Sequence, residues 1–267
     1  ATTEIYPLSL HDALPIYHIA FYRFVALDHP ELTAATLEEL AADLLGTILV
    51  AHEGINGMLA GEPAAIDAFV DSLRGDQRLL GAFTDIVIKR TDCGTTQPFR
   101  KRKIRVKQEI VPLGVDIDAP NRVADIAARD VTPAQWRELI RRPDVVVIDN
   151  RNSFEYRTGH FEGAIDPGVD QFRQFTSYVQ AHADEWRESG TKVAMYCTGG
   201  IRCEKASPWM QDLGLDVYQL EGGILNYFAQ MPDADADWHG ECFIFDNRVT
   251  LDTNLCETST RREDIDE

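Results

Sequence analysis

Residues 196–207, YCTGGIRCEKAS, join an apolar run, Val193 to Cys197, to a stretch with helical spacing. A cysteine at the carboxyl end of a buried strand stands where open α/β sheets place their ligands. Gly199 and Gly200 let the backbone curl, so that the N–H groups of the loop Thr198, Gly199, Gly200 and Ile201 converge on the Cys197 sulfur as an anion cradle. A helix expected to begin near Cys203 adds the positive end of its dipole, and Arg202 adds a full positive charge. Each contribution favours thiolate over thiol, which should bring Cys197 from about 8.5 toward or below neutrality and make it a nucleophile able to hold an anionic persulfide. A buried cysteine beside a glycine turn is the plainer reading of any lone Cys. The combined strand, loop and helix context argues against it here.

The elements that must position this loop alternate. VVVID (Val145 to Asp149), VAMYC (Val193 to Cys197) and DVYQL (Asp216 to Leu220) are short apolar runs separated by helical stretches, the mark of a parallel, helix-covered sheet. Thr132-Pro133 opens this half with an N-cap and a proline at the first helical position, for a helix through about Arg141. Asp149 and Arg151 fall at a strand end and are second-rank candidates for facing the site.

Upstream, YHIAFYRFV from Tyr17 reads as a strand, and a helix is expected from Thr33 with Leu37, Leu40, Leu44 and Leu45 on one face, stopped by Gly46. Thr47 to Ala51 is a second strand, with a return strand around Met58 to Ala60 and Asn56-Gly57 as the hairpin signal. Pro63 starts a helix through Leu73, and Asp85 to Lys89 is a further strand. The order β-α-β-β-α-β is that of a ferredoxin-like sandwich with one uncovered face. IRVKQEIVPLG is expected to extend this domain and DIDAPNRVADIAARD to be a polar connector. The expected organisation is a non-native or disordered extension at 1–16, a ferredoxin-like domain at 17–118, a parallel α/β domain at 125–233 and a tail at 234–267, ending in a disordered TRREDIDE.

No run of about 18 uncharged apolar residues occurs, which excludes a helical membrane span. The stretch 1–16 lacks the basic start and small-residue cleavage site of a secretory signal. Five scattered cysteines, odd in number and without a CxxC pair, fit free thiols in a reducing cytoplasm and give a paired-cysteine zinc site no support. No metal or dinucleotide motif is evident.

The net charge of -18 speaks against nucleic acid until its distribution is seen. Lys89, Arg90, Arg100, Lys101, Arg102, Lys103, Arg105 and Lys107 face a single acid, Asp92, giving a local charge of +7. Such a segment can steer a polyanion to one face of an acidic protein. A charge-protected edge strand explains the same residues equally well.

VVVIDNRNSFEYRTGHFEGAI, with Asp149, Arg151, Glu155, Gly159, His160, Gly163 and Ala164, resembles the signature that precedes a rhodanese active-site loop. On that reading Glu155 and Gly159 bracket a short helix, His160 is packed, and most of these residues are scaffold. The six-residue loop from Cys197 to Arg202 has the length found in sulfurtransferase rhodaneses, one residue shorter than in the related phosphatases.

FYRF (21–24), HEGINGMLAG (52–61), PFRKRKIRVKQEIV (98–111), CTGGIRCEKAS, LEGGI (220–224) and WHGECFIFDNRV (238–249), in that order, are similar to the bacterial rhodanese-domain tRNA uridine hydroxylases over residues 17 to 250. The resemblance implies an acylphosphatase-like N-terminal domain before the rhodanese domain. It also implies oxygen-dependent conversion of the wobble uridine, position 34, to 5-hydroxyuridine, with molecular oxygen as co-substrate, tRNA as partner, and a cysteine persulfide at Cys197. Many members carry a Cys-rich tail with CxxC pairs beyond FDNRV, where this sequence has only Cys256. Cys203 matches the family motif, either as a small packed residue or as a resolving thiol. The alternatives are a plain sulfurtransferase that needs no tRNA, and an RNA-binding module with a vestigial rhodanese fold, against which the intact Cys197 loop counts.

Overall fold

The computed structural model describes residues 14–123 and 130–265. The chain divides into two compact units, one of the residues up to Arg23 with Leu27–Lys107, the other of Phe24–Ala26 with Gln108 onward. No helix of the described residues is long and apolar enough to cross a membrane.

The first unit contains β1 (Tyr17–Phe24), α1 (Pro30–Leu40), β2 (Leu45–Ala51), β3 (Gly54–Gly61), α2 (Pro63–Gly75), β4 (Ile88–Asp92) and β5 (Arg102–Val106). Its sheet order is β4-β1-β3-β2-β5. The first four strands follow the ferredoxin-like order, and β5 joins β2 in parallel with Ile104 opposite Ile48. Phe21 packs on Phe69 of α2, and Ile19, Leu37, Ile48, Leu59, Ile66 and Phe83 complete a buried core.

Three sequence expectations shift here: the strand expected at Asp85 to Lys89 is β4 at Ile88–Asp92, with Asp85 still in a turn, and the other two shifts involve a proline and two glycines. Helix α1 starts at Pro30 rather than Thr33, since proline is pre-set for the first turn, and ends at Leu40, ahead of Gly46. Gly46 lies inside β2 at φ 139, where a Cβ would stand 2.1 Å from the Met58 carbonyl oxygen. The hairpin turns at His52-Glu53, between paired Ala51 and Gly54, not at Asn56-Gly57. Gly57 is in mid-strand because a side chain there would come within 2.5 Å of the Phe21 ring.

The second unit contains α3 (Ala119–Arg122), β6 (Asp130–Val131), α4 (Pro133–Leu139), β7 (Val145–Asp149), α5 (Ser153–Thr158), β8 (Gly159–Phe161) and α6 (Phe175–Ser189). It continues with β9 (Lys192–Tyr196), α7 (Ile201–Asp212), β10 (Asp216–Leu220), α8 (Gly223–Gln230), β11 (Trp238–Gly240), β12 (Cys242–Phe243) and β13 (Thr250–Leu251). The sheet runs β6-β10-β9-β7 with every recorded pairing parallel, as the alternation of apolar runs and helices requires. Trp136, Phe161, Tyr196, Tyr227 and Trp238 fill its core. Thr132 caps α4 with a full capping box to Gln135.

Residues 108–118, read from the sequence as part of the first domain, pack in the second unit. The Lys205 ammonium on α7, itself 1% exposed, is held by Glu109 at 2.5 Å and the Val111 carbonyl at 2.9 Å. In the expected connector, α3 is anchored by a two-pronged bond from Arg122 to Asp212, and residues 124–129 lie outside the described residues. At the acidic end, where disorder was expected, Arg262–Asp264 form a single 3-10 turn in which the Asp264 carboxylate accepts from the Arg261 N–H, and Arg262 lies over the Phe243 ring at 4.9 Å. Of the segment 1–16, only residues 14–16 are described, and Ile16 exchanges backbone bonds with Cys93 and Gly94.

Candidate active site

Strand β9 is interior to its sheet, and Cys197 follows it at the carboxyl end, 1% exposed. Gly200 takes φ 101, in the left-handed region, and caps α7, which begins at Ile201 rather than near Cys203. That turn aims the Gly200 N–H at the Cys197 sulfur, 3.1 Å away. The curl thus rests on Gly200. Gly199 stays outside the left-handed region, and the space where its side chain would stand is open.

Burial by itself pushes the Cys197 thiol up. It is outweighed by a hydrogen bond from the Cys203 thiol, the charge of Arg202 and the backbone N–H groups of Cys203 and Arg202, which lower it from 9.0 to about 6. Cys203, fully buried in the first turn of α7, is driven the other way by burial and by its bond to Cys197, so it stays protonated as the donor. Asn150 at the end of β7 reaches Cys203 with its Nδ2 at 3.9 Å. Arg202 is fixed by Glu155, whose buried carboxylate accepts from its Nη1 at 2.8 Å and from the Asn152 N–H at 3.1 Å in the capping box of α5.

The LEGGI stretch has its reason in the same place. The Ile224 N–H donates to the Cys197 carbonyl at 3.0 Å and the Leu225 N–H to the Thr198 carbonyl at 3.2 Å, so the start of α8 holds the loop from behind. Gly223, at φ 70, permits this approach, for a Cβ there would stand 2.4 Å from the Cys197 carbonyl oxygen.

Asp149 and Arg151 form a fully buried pair, Nη2 to Oδ2 at 2.6 Å, with the guanidinium also on the Gly159 carbonyl and flanked by the rings of Tyr196 and Trp238. They brace β7 against β8. His160 stacks on Tyr156 at 4.0 Å, a packed residue. Around the loop, Asn150 Oδ1, Arg151 Nη1, Glu155 Oε1 and Thr198 Oγ1 are buried without a hydrogen-bond partner, an unusual concentration of polar atoms beside one thiol. Among the described residues no three His, Cys, Asp or Glu side chains are grouped to hold a metal ion.

Residues 16–110 match the family described as UPF0176 acylphosphatase like domain, and residues 132–230 match the rhodanese-like domain. A tRNA uridine(34) hydroxylase of Teredinibacter turnerae is 43% identical over 243 residues, covering 90% of this chain and 73% of that protein. Another, of Nitrobacter winogradskyi, is 43% identical over 242 residues, covering 90% and 92% respectively. The chain belongs to the tRNA uridine(34) hydroxylase family.

In this member of the tRNA uridine(34) hydroxylase family the basic segment is split. Lys89 and Arg90 lie on β4 and the second cluster on β5, at opposite edges of the five-stranded sheet, so the eight residues form no single patch. Arg90 is tied to Asp67 at 2.6 Å and lies over the Tyr17 ring. Arg102 is turned to α1, where it pairs with Glu38 at 2.8 Å and donates to the Ala41 and Ala42 carbonyls. Lys101, Lys103, Arg105 and Lys107 alternate with it along the extended edge and are exposed, as is Arg100 just before them.

Sequence reasoning missed three residues of the site. Glu155 was read as scaffold, yet it holds Arg202, and no local signal links positions 47 residues apart. Asn150 sits between the two flagged residues Asp149 and Arg151, and its place at a strand's carboxyl end was the available signal. Gly223 was legible only as part of a motif.

Proposed function

We propose that this protein hydroxylates the wobble uridine, position 34, of tRNA at C5, giving 5-hydroxyuridine with molecular oxygen as co-substrate, and that Cys197 is its reactive group. The observation that carries the reading is a buried thiol at the head of a six-residue loop that ends in Arg202, with the Gly200 N–H aimed at its sulfur from 3.1 Å. It occurs in a chain 43% identical over 90% of its length to proteins of that name.

The roles follow from the geometry. Cys197, as thiolate or as persulfide, supplies the nucleophilic sulfur, and the N–H groups of Gly200, Arg202 and Cys203, the α7 dipole and the Arg202 charge hold its negative charge. Glu155 keeps Arg202 in place, and Cys203 donates to the sulfur as a thiol. Lys103 and Arg105 on β5, with Lys101 and Lys107 flanking it, contact tRNA phosphates, which needs no sequence information. A tRNA substrate puts the protein in the cytoplasm.

Nucleosides from tRNA of a deletion strain, complemented with wild type or with Cys197→Ser, test the reading. 5-Hydroxyuridine should be missing from the deletion, return with wild type and stay missing with the serine variant. Failure of the wild type to restore it overturns the hydroxylase, and sulfur transfer to a small thiol without it favours a plain sulfurtransferase.

A further inference from the structure

Of the twelve phenylalanines, Phe245 alone is exposed, at 47% for the residue. It stands in the short connection between β12 and β13, and that connection is tightly tied. The Ile244 N–H donates to the Val249 carbonyl at 2.8 Å, and the Val249 N–H to the Asp246 carbonyl at 3.2 Å. Arg248 grips the Asp246 carboxylate with Nε and Nη2, and both side chains are buried. Val249 is held at φ 67, a conformation that a β-branched residue adopts only where its surroundings compel it. So constrained a loop holds the Phe245 ring in one place with part of its surface in solvent.

What surrounds the ring indicates its use. Phe243 meets it edge-on at 5.0 Å and is in turn met edge-on by Phe154, which fixes its angle. On another side stands the Arg202 guanidinium, with Cζ 5.8 Å from the ring centroid, the same cation that lowers Cys197. Beside Cys197, the missing side chain of Gly199 leaves open space. A reaction at a base carbon requires the nucleotide to leave its stack, and the freed base needs a flat apolar surface to replace its lost neighbours.

We infer that Phe245 is the platform on which the target pyrimidine stacks, with its edge toward Arg202 and the Cys197 loop. The inference rests on the tRNA reading above. Stacking of a base on an aromatic side chain changes affinity by about 5- to 150-fold.

The test uses the full chain and anticodon stem-loop RNAs carrying either uridine or an abasic ribose at position 34, with binding followed by fluorescence anisotropy. Wild type and Phe245→Trp should prefer the uridine RNA by a factor in that range. Phe245→Ala and Phe245→Leu should lose the preference, since leucine keeps apolar bulk without a π face. The pH profile of Cys197 alkylation should be the same in all four proteins. A preference that persists in the Ala and Leu variants, or is absent from wild type, overturns the platform. So does an alkylation profile shifted upward in Phe245→Ala, because the ring would then act by supporting Arg202. If wild type makes no 5-hydroxyuridine in the complemented strain while the binding preference still depends on Phe245, the hydroxylase reading falls and the platform stands.

Discussion

Arg202→Ala should raise the pH at which Cys197 becomes reactive, and the structure bounds the change. The lowering from 9.0 to about 6 corresponds to roughly 4 kcal/mol in favour of the thiolate. A guanidinium at close range accounts for about 1 to 3 pH units of such an effect, so the variant should titrate between about 7 and 9. At pH 6.5 the thiolate share then drops from about three quarters to between about one quarter and well under one hundredth. Iodoacetamide labelling should slow by roughly 3- to 200-fold at that pH and recover by about pH 9.5, since only the thiolate reacts. Removing Arg202 also strands the Glu155 carboxylate, which is buried and has Arg202 as its cationic partner. Breaking such a pair costs about 3–5 kcal/mol, so the single variant will be less stable. Arg202→Ala with Glu155→Gln removes that complication and keeps an acceptor for the Asn152 N–H. A labelling midpoint unchanged in both proteins refutes the assignment of the charge. Equal slowing at every pH refutes it too, since that reports lost access.

Three further outcomes are expected. Because the unfolded chain holds the Cys197 proton more tightly than the folded one, wild type should lose stability relative to Cys197→Ser as the pH falls from about 9 to about 6, read from urea melts at each pH. Replacing Lys101, Lys103, Arg105 and Lys107 with Gln should reduce the salt slope of tRNA binding by about 3 while leaving Cys197 labelling unchanged, whereas Arg102→Gln should leave the slope unchanged and lower stability; equal slopes in all variants point to a merely protective edge. Gly223→Ala should cost more than about 1 kcal/mol and disturb Cys197 labelling, because φ is positive and the added carbon meets the loop backbone; Gly163→Ala, also at positive φ but in open space, should cost stability alone.

The architecture was legible wherever one residue type has one physical use. Thr132-Pro133 opened a helix and was found to do so, and the run VVVID fell on a strand residue for residue. Glycine misled because it has two uses. Gly46 and Gly57 read as a helix stop and a turn, yet both serve close approach inside strands, to the Met58 carbonyl and the Phe21 ring, and such tertiary neighbours leave no trace in local sequence. The packing of residues 108–113 around Lys205 was hidden for the same reason, since a buried lysine reads as a surface one until its carboxylate is found 96 positions away.

At the site, the place of the loop after its strand was legible, but of the four loop residues expected to cradle the sulfur Gly200 points its N–H at it, and the other backbone donors are Arg202 and Cys203. The remainder depends on charges meeting across the fold. Alternation along β5 was enough to foresee that Lys101, Lys103, Arg105 and Lys107 share exposure, because a strand sends side chains to opposite faces by rule. It was not enough to foresee that Arg102 would be held by Glu38 and two carbonyls just past the end of α1, or that Lys89 and Arg90 would stand on the far edge. A run of basic residues along a sequence therefore overstates a phosphate-binding surface, since a charge already paired within its own unit neutralises no phosphate and releases no counterion from the nucleic acid. The exposed basic side chains on β5 and beside it define a narrower footprint, and one that an ionic-strength series on the separate variants can measure.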